Sequence, residues 1–306
     1  MHLLEYKRAR LRAVRLLSLL LAAAGVARAV PSATTNRVAQ LTDAGIWKAV
    51  PEAEMDTAAC LPRDRALIRD PGYRWKHAQT EHFVIHYEME LFALKVAHMA
   101  EFFYSYIPGD LPGARDQTRG RSHLFIFRTE NRWKKFLAAT SDKKDWAFSF
   151  VQGPSLYLQQ ADTRNESADV LAHEMTHLVI NRFVPHQPPL WLNEGLAEYY
   201  GEFAFAAFRG VTRNPHTGFR SLRDPIRLRT LFATEQYPEN NRLAIHRFYQ
   251  SSKYFVGFLL TKKPREKFPA FLDAVAAGMA PEEALPKYYG FADFKAVEKE
   301  FAHFVH

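Results

Sequence analysis

The stretch LAHEMTHLVINRFVPHQPPLWLNEGLAEYY, Leu171 to Tyr200, holds residues whose types and spacing fit metal and proton chemistry. His173 and His177 are four apart, so on a helix they share a face one turn apart and can ligate one zinc ion. Glu174 projects beside them, close enough to a metal-bound water to act as its base. Zinc wants a third protein ligand, and a catalytic zinc keeps its fourth position for water. Seventeen residues after His177 comes an acidic pair, Glu194 and Glu198, again one turn apart.

Two helices must position these groups. ESADVLAHEMTHLVINRF reads as the first, its start marked by a capping box between Thr163 and Glu166. Its apolar flanks, Val170, Leu171, Leu178 and Val179, predict a buried side. The Pro-rich segment Pro185–Pro189 ends it, and LWLNEGLAEYYGEFAF restarts helix. An antiparallel pair with a short connection would return Glu194 and Glu198 to the histidines.

Upstream, HFVIHYEM (82–89) and HLFIFRT (123–129) read as strands, with an apolar-periodic helix over 91–107 between them that stops at PGDLPG. NRWKKFLAAT reads as a short helix. AFSFVQGPSLYLQQ (147–160) reads as strand, turn at Gly153–Pro154, strand. SLYLQ (155–159) is a candidate open edge on which an extended peptide could pair, or an interior strand. Residues 209–245 are loop-rich. Four helical stretches follow from His246 to Val305, separated by KKPREK, GMAP and YYGFAD. Strands with helices first, then nearly all helix, give an α+β class: a mixed-sheet lobe over 73–183 and a helical lobe over 184–306. Residues 30–72, with weak periodicity and scattered Pro, read as an irregular N-terminal segment.

The 306 residues, 47% hydrophobic and 14% aromatic, can build a large core. The formal charge of +8 is concentrated at the start. Residues 1–29 hold six basic side chains against Glu5, a surplus of five, which leaves +3 for the rest. That remainder is no nucleic-acid footprint. KRARLRAVR, the twelve-residue apolar run Leu16–Ala27 and the small-x-small ARA at 27–29 form the pattern of a secretory signal peptide, too short for a comfortable membrane span. The expectation is a mature chain in the periplasm or medium with no membrane span. Its one cysteine, Cys60, can make neither an intrachain disulfide nor a multi-Cys metal site, so His and carboxylate must hold any metal.

HEMTH followed by WLNEGLAEYY resembles the gluzincin metallopeptidases, the zincin group that contains thermolysin and the zinc aminopeptidases. The resemblance is specific over 170–200. It is looser over HFVIHYE and the helical C-terminus, which resemble small bacterial peptidase-MA-like proteins. It implies a zincin-like catalytic domain over 73–306 and Zn2+ held by His173, His177 and Glu194. Glu198 is then the carboxylate that bonds His173 from outside the ligand set, and Glu174 the general base of peptide-bond hydrolysis on a peptide or protein substrate. The family's transition-state donor, a Tyr or His, has no motif match; Tyr249 and Tyr254 in HRFYQSSKYFVGF are the candidates. There is no G-A-M-E-N-like strand of the kind that grips a free N-terminus in zinc aminopeptidases, so endo- and exopeptidase both stay open.

Other residues read more plainly. His82 and His86 are four apart on a strand, too far to chelate easily, and count as surface or core residues. His186 belongs to the Pro-rich turn. The basic stretch 209–229 is a solvated loop or a substrate rim. Two other functions use the same residues: a non-catalytic zincin-fold scaffold of the cell envelope, and a zinc hydrolase of a non-peptide amide.

Overall fold

A computed structural model describes residues 45–113, 115–140, 148–160, 168–211, 219, 221–238 and 241–305. The signal-peptide segment and the Thr163–Glu166 capping box lie outside the described residues, as do residues 212–218 and 220 of the basic stretch.

Six strands form one mixed sheet, in the order β1 (Lys48–Ala49), β2 (Lys76–Gln79), β3 (Phe83–Tyr87), β4 (Ser122–Phe127), β6 (Ser155–Gln159), β5 (Ser149–Gln152). The central strands β3, β4 and β6 run parallel, and β1, β2 and β5 are antiparallel to their neighbours. Parallel neighbours need a crossover, and helix α2 (Glu90–Asp110) supplies the one between β3 and β4. It continues through Pro108 and Gly109, beyond the stop expected at PGDLPG.

The centre of the sheet is buried on both sides, so its alternation divides residues between two cores rather than between core and water. Leu124, Ile126, Leu156 and Leu158 face the large core shared with α2 and the C-terminal helices. Phe125, Phe127 and Tyr157 face a smaller aromatic core closed by α1 (Pro62–Arg69) and α3 (Glu130–Ala138). The irregular segment expected over 30–72 therefore contains two ordered pieces, β1 on the sheet edge and α1 over its face. Both are too short for sequence periodicity to mark them. Strand β2 was likewise invisible: KHAQ has no β-branched residue.

The hairpin β5–β6 forms as its sequence predicts, with Gly153 at φ +53° in the turn. Of the two readings left open for SLYLQ, the structure selects the interior one. SLYLQ is β6, which pairs with β4 on one side and β5 on the other, so it is interior. On that side of the sheet the edge strand among the described residues is β5.

The C-terminal part is mostly helical: α4 (Ala168–Phe183), α5 (Leu190–Phe208), α6 (Leu228–Phe232), α7 (Arg242–Lys262), α8 (Phe268–Ala276), α9 (Pro281–Tyr289) and α10 (Phe294–Val305). This mixed sheet followed by helices is compatible with an α+β zincin-like fold. Helix α5 packs between α4 and α7, and two glycines bring it close to both. A Cβ on Gly195 would sit 2.6 Å from the carbonyl oxygen of Ser252 on α7. One on Gly201 would sit 3.0 Å from Cα of His173 on α4. Backbone contacts this close admit no side chain at 195. At its far end α4 is held by buried Arg182, whose guanidinium donates to Asp116 at 2.7 Å, to Ser122 Oγ at 2.8 Å and to the carbonyl of Thr118 at 2.9 Å. A cation in the last turn also complements the helix dipole. Among the described residues no helix is long and apolar enough to cross a membrane.

Candidate metal centre

Helix α4 is buried along most of its circumference. Leu171, Ala172, Met175, Leu178, Val179 and Ile180 fill the large core, and His173 and Glu174 are buried with them. Its polar face meets α5. The antiparallel return expected from the Pro-rich turn places Glu194 between the two imidazoles: His173 Nε2 is 3.4 Å from Glu194 Oε2, and His177 Nε2 is 3.6 Å from Glu194 Oε1. The two Nε2 atoms are 3.2 Å apart. One ligand atom from each of His173, His177 and Glu194 lies within 4.8 Å of the others, the one such group of three among the described residues.

The outer nitrogens are also engaged. His173 Nδ1 lies 3.3 Å from Glu198 Oε1, and His177 Nδ1 lies 3.1 Å from Asn193 Oδ1. Asn193 Oδ1 can only accept, so the His177 ring carries a proton on Nδ1 and turns Nε2 toward its partner ring and Glu194, while Glu198 faces His173 Nδ1 as an ion-pair partner. Glu198 thus reaches the histidine that the resemblance assigned to it. Asn193, the first residue of the NEG segment, performs the same service for the other ring.

This donor set suits a small divalent cation. Glu194 Oε2 is buried and makes no hydrogen bond to the described residues, which is costly unless a positive charge faces it. Without metal that charge is a proton. Burial opposes charge on His173, but Glu194 and Glu198 outweigh it and push its pKa up to about 9. Burial lowers the pKa of His177. Burial also works against an ionised Glu194, yet His177, His173 and a tyrosine hydroxyl hold its pKa down at about 2. The set is two imidazoles, of which only one is charged, facing a carboxylate that stays ionised. Replacing one proton by zinc is a small change for it.

That tyrosine is Tyr237, from the loop between α6 and α7, whose hydroxyl donates to Glu194 Oε1 at 2.5 Å. Burial raises its pKa well above the ordinary value, with help from Glu194. Nothing in TEQYPEN marked it, because a lone Tyr in a loop has no periodicity to betray it. The tyrosines chosen from sequence fare differently. The Tyr249 ring centroid is 6.3 Å from that of His173, and its hydroxyl hydrogen-bonds Tyr237. Tyr254, five residues on, lies on another face of α7, its ring against Phe219 and Phe304 and away from the histidines.

Glu174 is bonded by Ser149 of edge strand β5, whose Oγ donates to Oε1 at 2.9 Å. Ser149 lies within AFSFVQGP, where strand alternation fixes its face but not what stands opposite. His186 is exposed in the turn. His82 pairs with Glu101 at 2.6 Å, and His86 is buried in the sheet; neither approaches the α4 site. Cys60 is buried, and burial pushes its thiol up to about 11.

Residues 160–306 match the sequence model of the Peptidase MA superfamily. The matched span runs from α4 to the end of α10 and contains His173, Glu174, His177, Glu194 and Glu198. The match, which covers the C-terminal part of the chain, supports a zincin-like peptidase superfamily, a group that is typically metal-dependent, and suggests a peptidase. No curated protein matches the chain.

Proposed function

We propose that this protein is an exported zinc metallopeptidase of the gluzincin type, with His173, His177 and Glu194 as ligands. The observation that carries the reading is the convergence of those three donors within 4.8 Å, beside a buried Glu174 that no structural metal site would require. Bound zinc would supply a Lewis acid that polarises a scissile carbonyl and acidifies a water. Glu174 takes the proton of the attacking water and passes it to the leaving amine. Glu198 and Asn193 orient the imidazoles. Tyr237, backed by Tyr249, is the hydroxyl donor nearest the ligand carboxylate and the best candidate to stabilise developing negative charge.

An extended peptide substrate fits the outer side of β5, which pairs with no further strand among the described residues. The amide of Gln159 donates to the carbonyl of Phe148 at 2.8 Å, which makes that cross-strand pair hydrogen-bonded. Pairs alternate along an antiparallel ladder, so Ser149 and Val151 turn their backbone N–H and C=O groups away from β6, toward an incoming strand. Export rests on the leader-like composition of residues 1–29.

Elemental analysis of the purified chain, wild type beside Glu194→Ala and Glu174→Gln, tests this. One zinc per wild-type chain, loss in Glu194→Ala and retention in Glu174→Gln are expected. Hydrolysis of a peptide library should fall about 10²–10⁴-fold in Glu174→Gln. A zinc-bearing chain that cleaves no peptide would be a scaffold or a hydrolase of another amide. A chain that binds no zinc after reconstitution at neutral pH is no metallopeptidase.

A further inference from the structure

The base of the proposed reaction receives its hydrogen bond from the strand on which the substrate would dock. Ser149 is 3% exposed and Glu174 5%, so the 2.9 Å bond between them lies away from water, where a hydroxyl bonded to a carboxylate is strong. The terminal torsion of a glutamate is broad and roughly two-fold. A bond to one oxygen therefore selects the plane of the carboxylate and the direction in which its other lone pairs point. Ser149 also sits at a non-hydrogen-bonded ladder position, so its backbone polar groups face outward from the sheet while its side chain points to α4.

We propose that Ser149 is the positioning residue for Glu174, tying the orientation of the base to the edge strand that receives the peptide. The inference rests on the peptidase reading above. It separates two roles within one residue: the backbone contributes to substrate binding and the hydroxyl to turnover. Removing the hydroxyl leaves the ladder intact and takes away this restraint on the carboxylate plane, so the loss falls on kcat and spares KM.

The test is a set of three variants, Ser149→Ala, Ser149→Cys and Ser149→Thr, each as the zinc-loaded full chain. In Ser149→Ala, kcat should fall about 10- to 100-fold, the scale on which a misplaced catalytic group costs rate. KM should stay within about twofold and zinc content should match the wild type. Ser149→Thr, which keeps the hydroxyl, should recover most of kcat, and Ser149→Cys, a poor donor, should fall between. In a Glu174→Gln background, Ser149→Ala should cost little more, because the group it positions is gone. Unchanged kcat, a change confined to KM, loss of zinc, or an equal loss in the Glu174→Gln background would each overturn the proposal. A wild-type chain inactive on every peptide would be a failure of the peptidase reading instead. Crystal structures of metal-free wild type and Ser149→Ala decide the positioning role in that case too. A reoriented or disordered Glu174 carboxylate in the variant supports it, and an unmoved one overturns it.

Discussion

The histidines of the sheet and those of helix α4 are both shielded from water, with His86, His123 and His173 buried and His77 and His177 half-buried, but they are wired differently. In the sheet, His77 Nδ1 lies 2.9 Å from His86 Nδ1, and His86 Nε2 lies 2.8 Å from His123 Nδ1. The central ring spends both nitrogens on its neighbours, so the three rings form a line with no common point. Burial lowers the pKa of all three; His77 and His123 further oppose charge on His86, while Glu52 beside His77 and Asp64 and Asp56 beside His123 only partly offset burial. In the α4 site the rings meet edge to face with centroids 4.9 Å apart, and a carboxylate closes the third side. Burial acts on both groups alike, so carboxylate placement decides the outcome: Glu194 and Glu198 raise His173 to about 9 where His86 is driven down. Three close imidazoles make a polar core, and two imidazoles with an acidic partner make a candidate cation site.

Exchanging the two groups is the strongest challenge to that contrast. His173→Ala, His177→Ala and Glu194→Ala should each lose the metal and with it essentially all peptidase activity, measured by elemental analysis and peptide cleavage. His86→Ala should keep zinc at the wild-type stoichiometry and instead lose about 2–4 kcal/mol of stability to denaturant, as buried large-to-small changes do. Zinc lost from His86→Ala but retained in His173→Ala would refute the assignment.

The tyrosines refine the comparison on the metal side. Tyr237→Phe removes the hydroxyl bonded to Glu194 and should cost about 10–100-fold in zinc affinity or turnover. Tyr249 reaches Glu194 only through Tyr237, so Tyr249→Phe should cost less, and Tyr254→Phe should leave zinc affinity unchanged. Competition with a chelator ranks the three.

The smallest effect is on pH. In the metal-free protein the pKa of His173 lies above the ordinary 6.5, so its contribution to stability is complete below 6.5 and is lost as pH climbs toward about 9. The pKa values of the sheet histidines lie below 6.5, so their contribution is complete above 6.5 and is lost as pH falls beneath it. With respect to these groups, the melting temperature of the metal-free protein should be highest near pH 6.5 and about 2–4 °C lower per kcal/mol lost on either side. Zinc uptake near pH 7.5 should release about one proton, from His173, seen as a buffer-dependent heat in calorimetry. Uptake without proton release would mean that His173 is neutral in the metal-free chain.

The sequence by itself determined what depends on neighbours along the chain. HEMTH puts two imidazoles and a carboxylate on one helix because residues four apart are one turn apart, and NEGLAE does the same for two acids. A Pro-rich turn between two helices leaves them little choice but to run antiparallel, so the approach of Glu194 to His173 and His177 was legible before any coordinates. The core face of β4 and the hairpin at Gly153 followed from alternation and turn chemistry. Only the tertiary structure decided that β5 and not β6 is the edge, that β1 and α1 complete the sheet layer, and that His77, His86 and His123 stand in line. It also decided that Ser149 meets Glu174 across 25 residues of chain and Tyr237 meets Glu194 across 43. A serine on a strand or a tyrosine in a loop shows the same local pattern whatever stands opposite. What stands opposite is set by how α5 fits between α4 and α7, and by which hydroxyls that packing leaves within reach of a buried carboxylate.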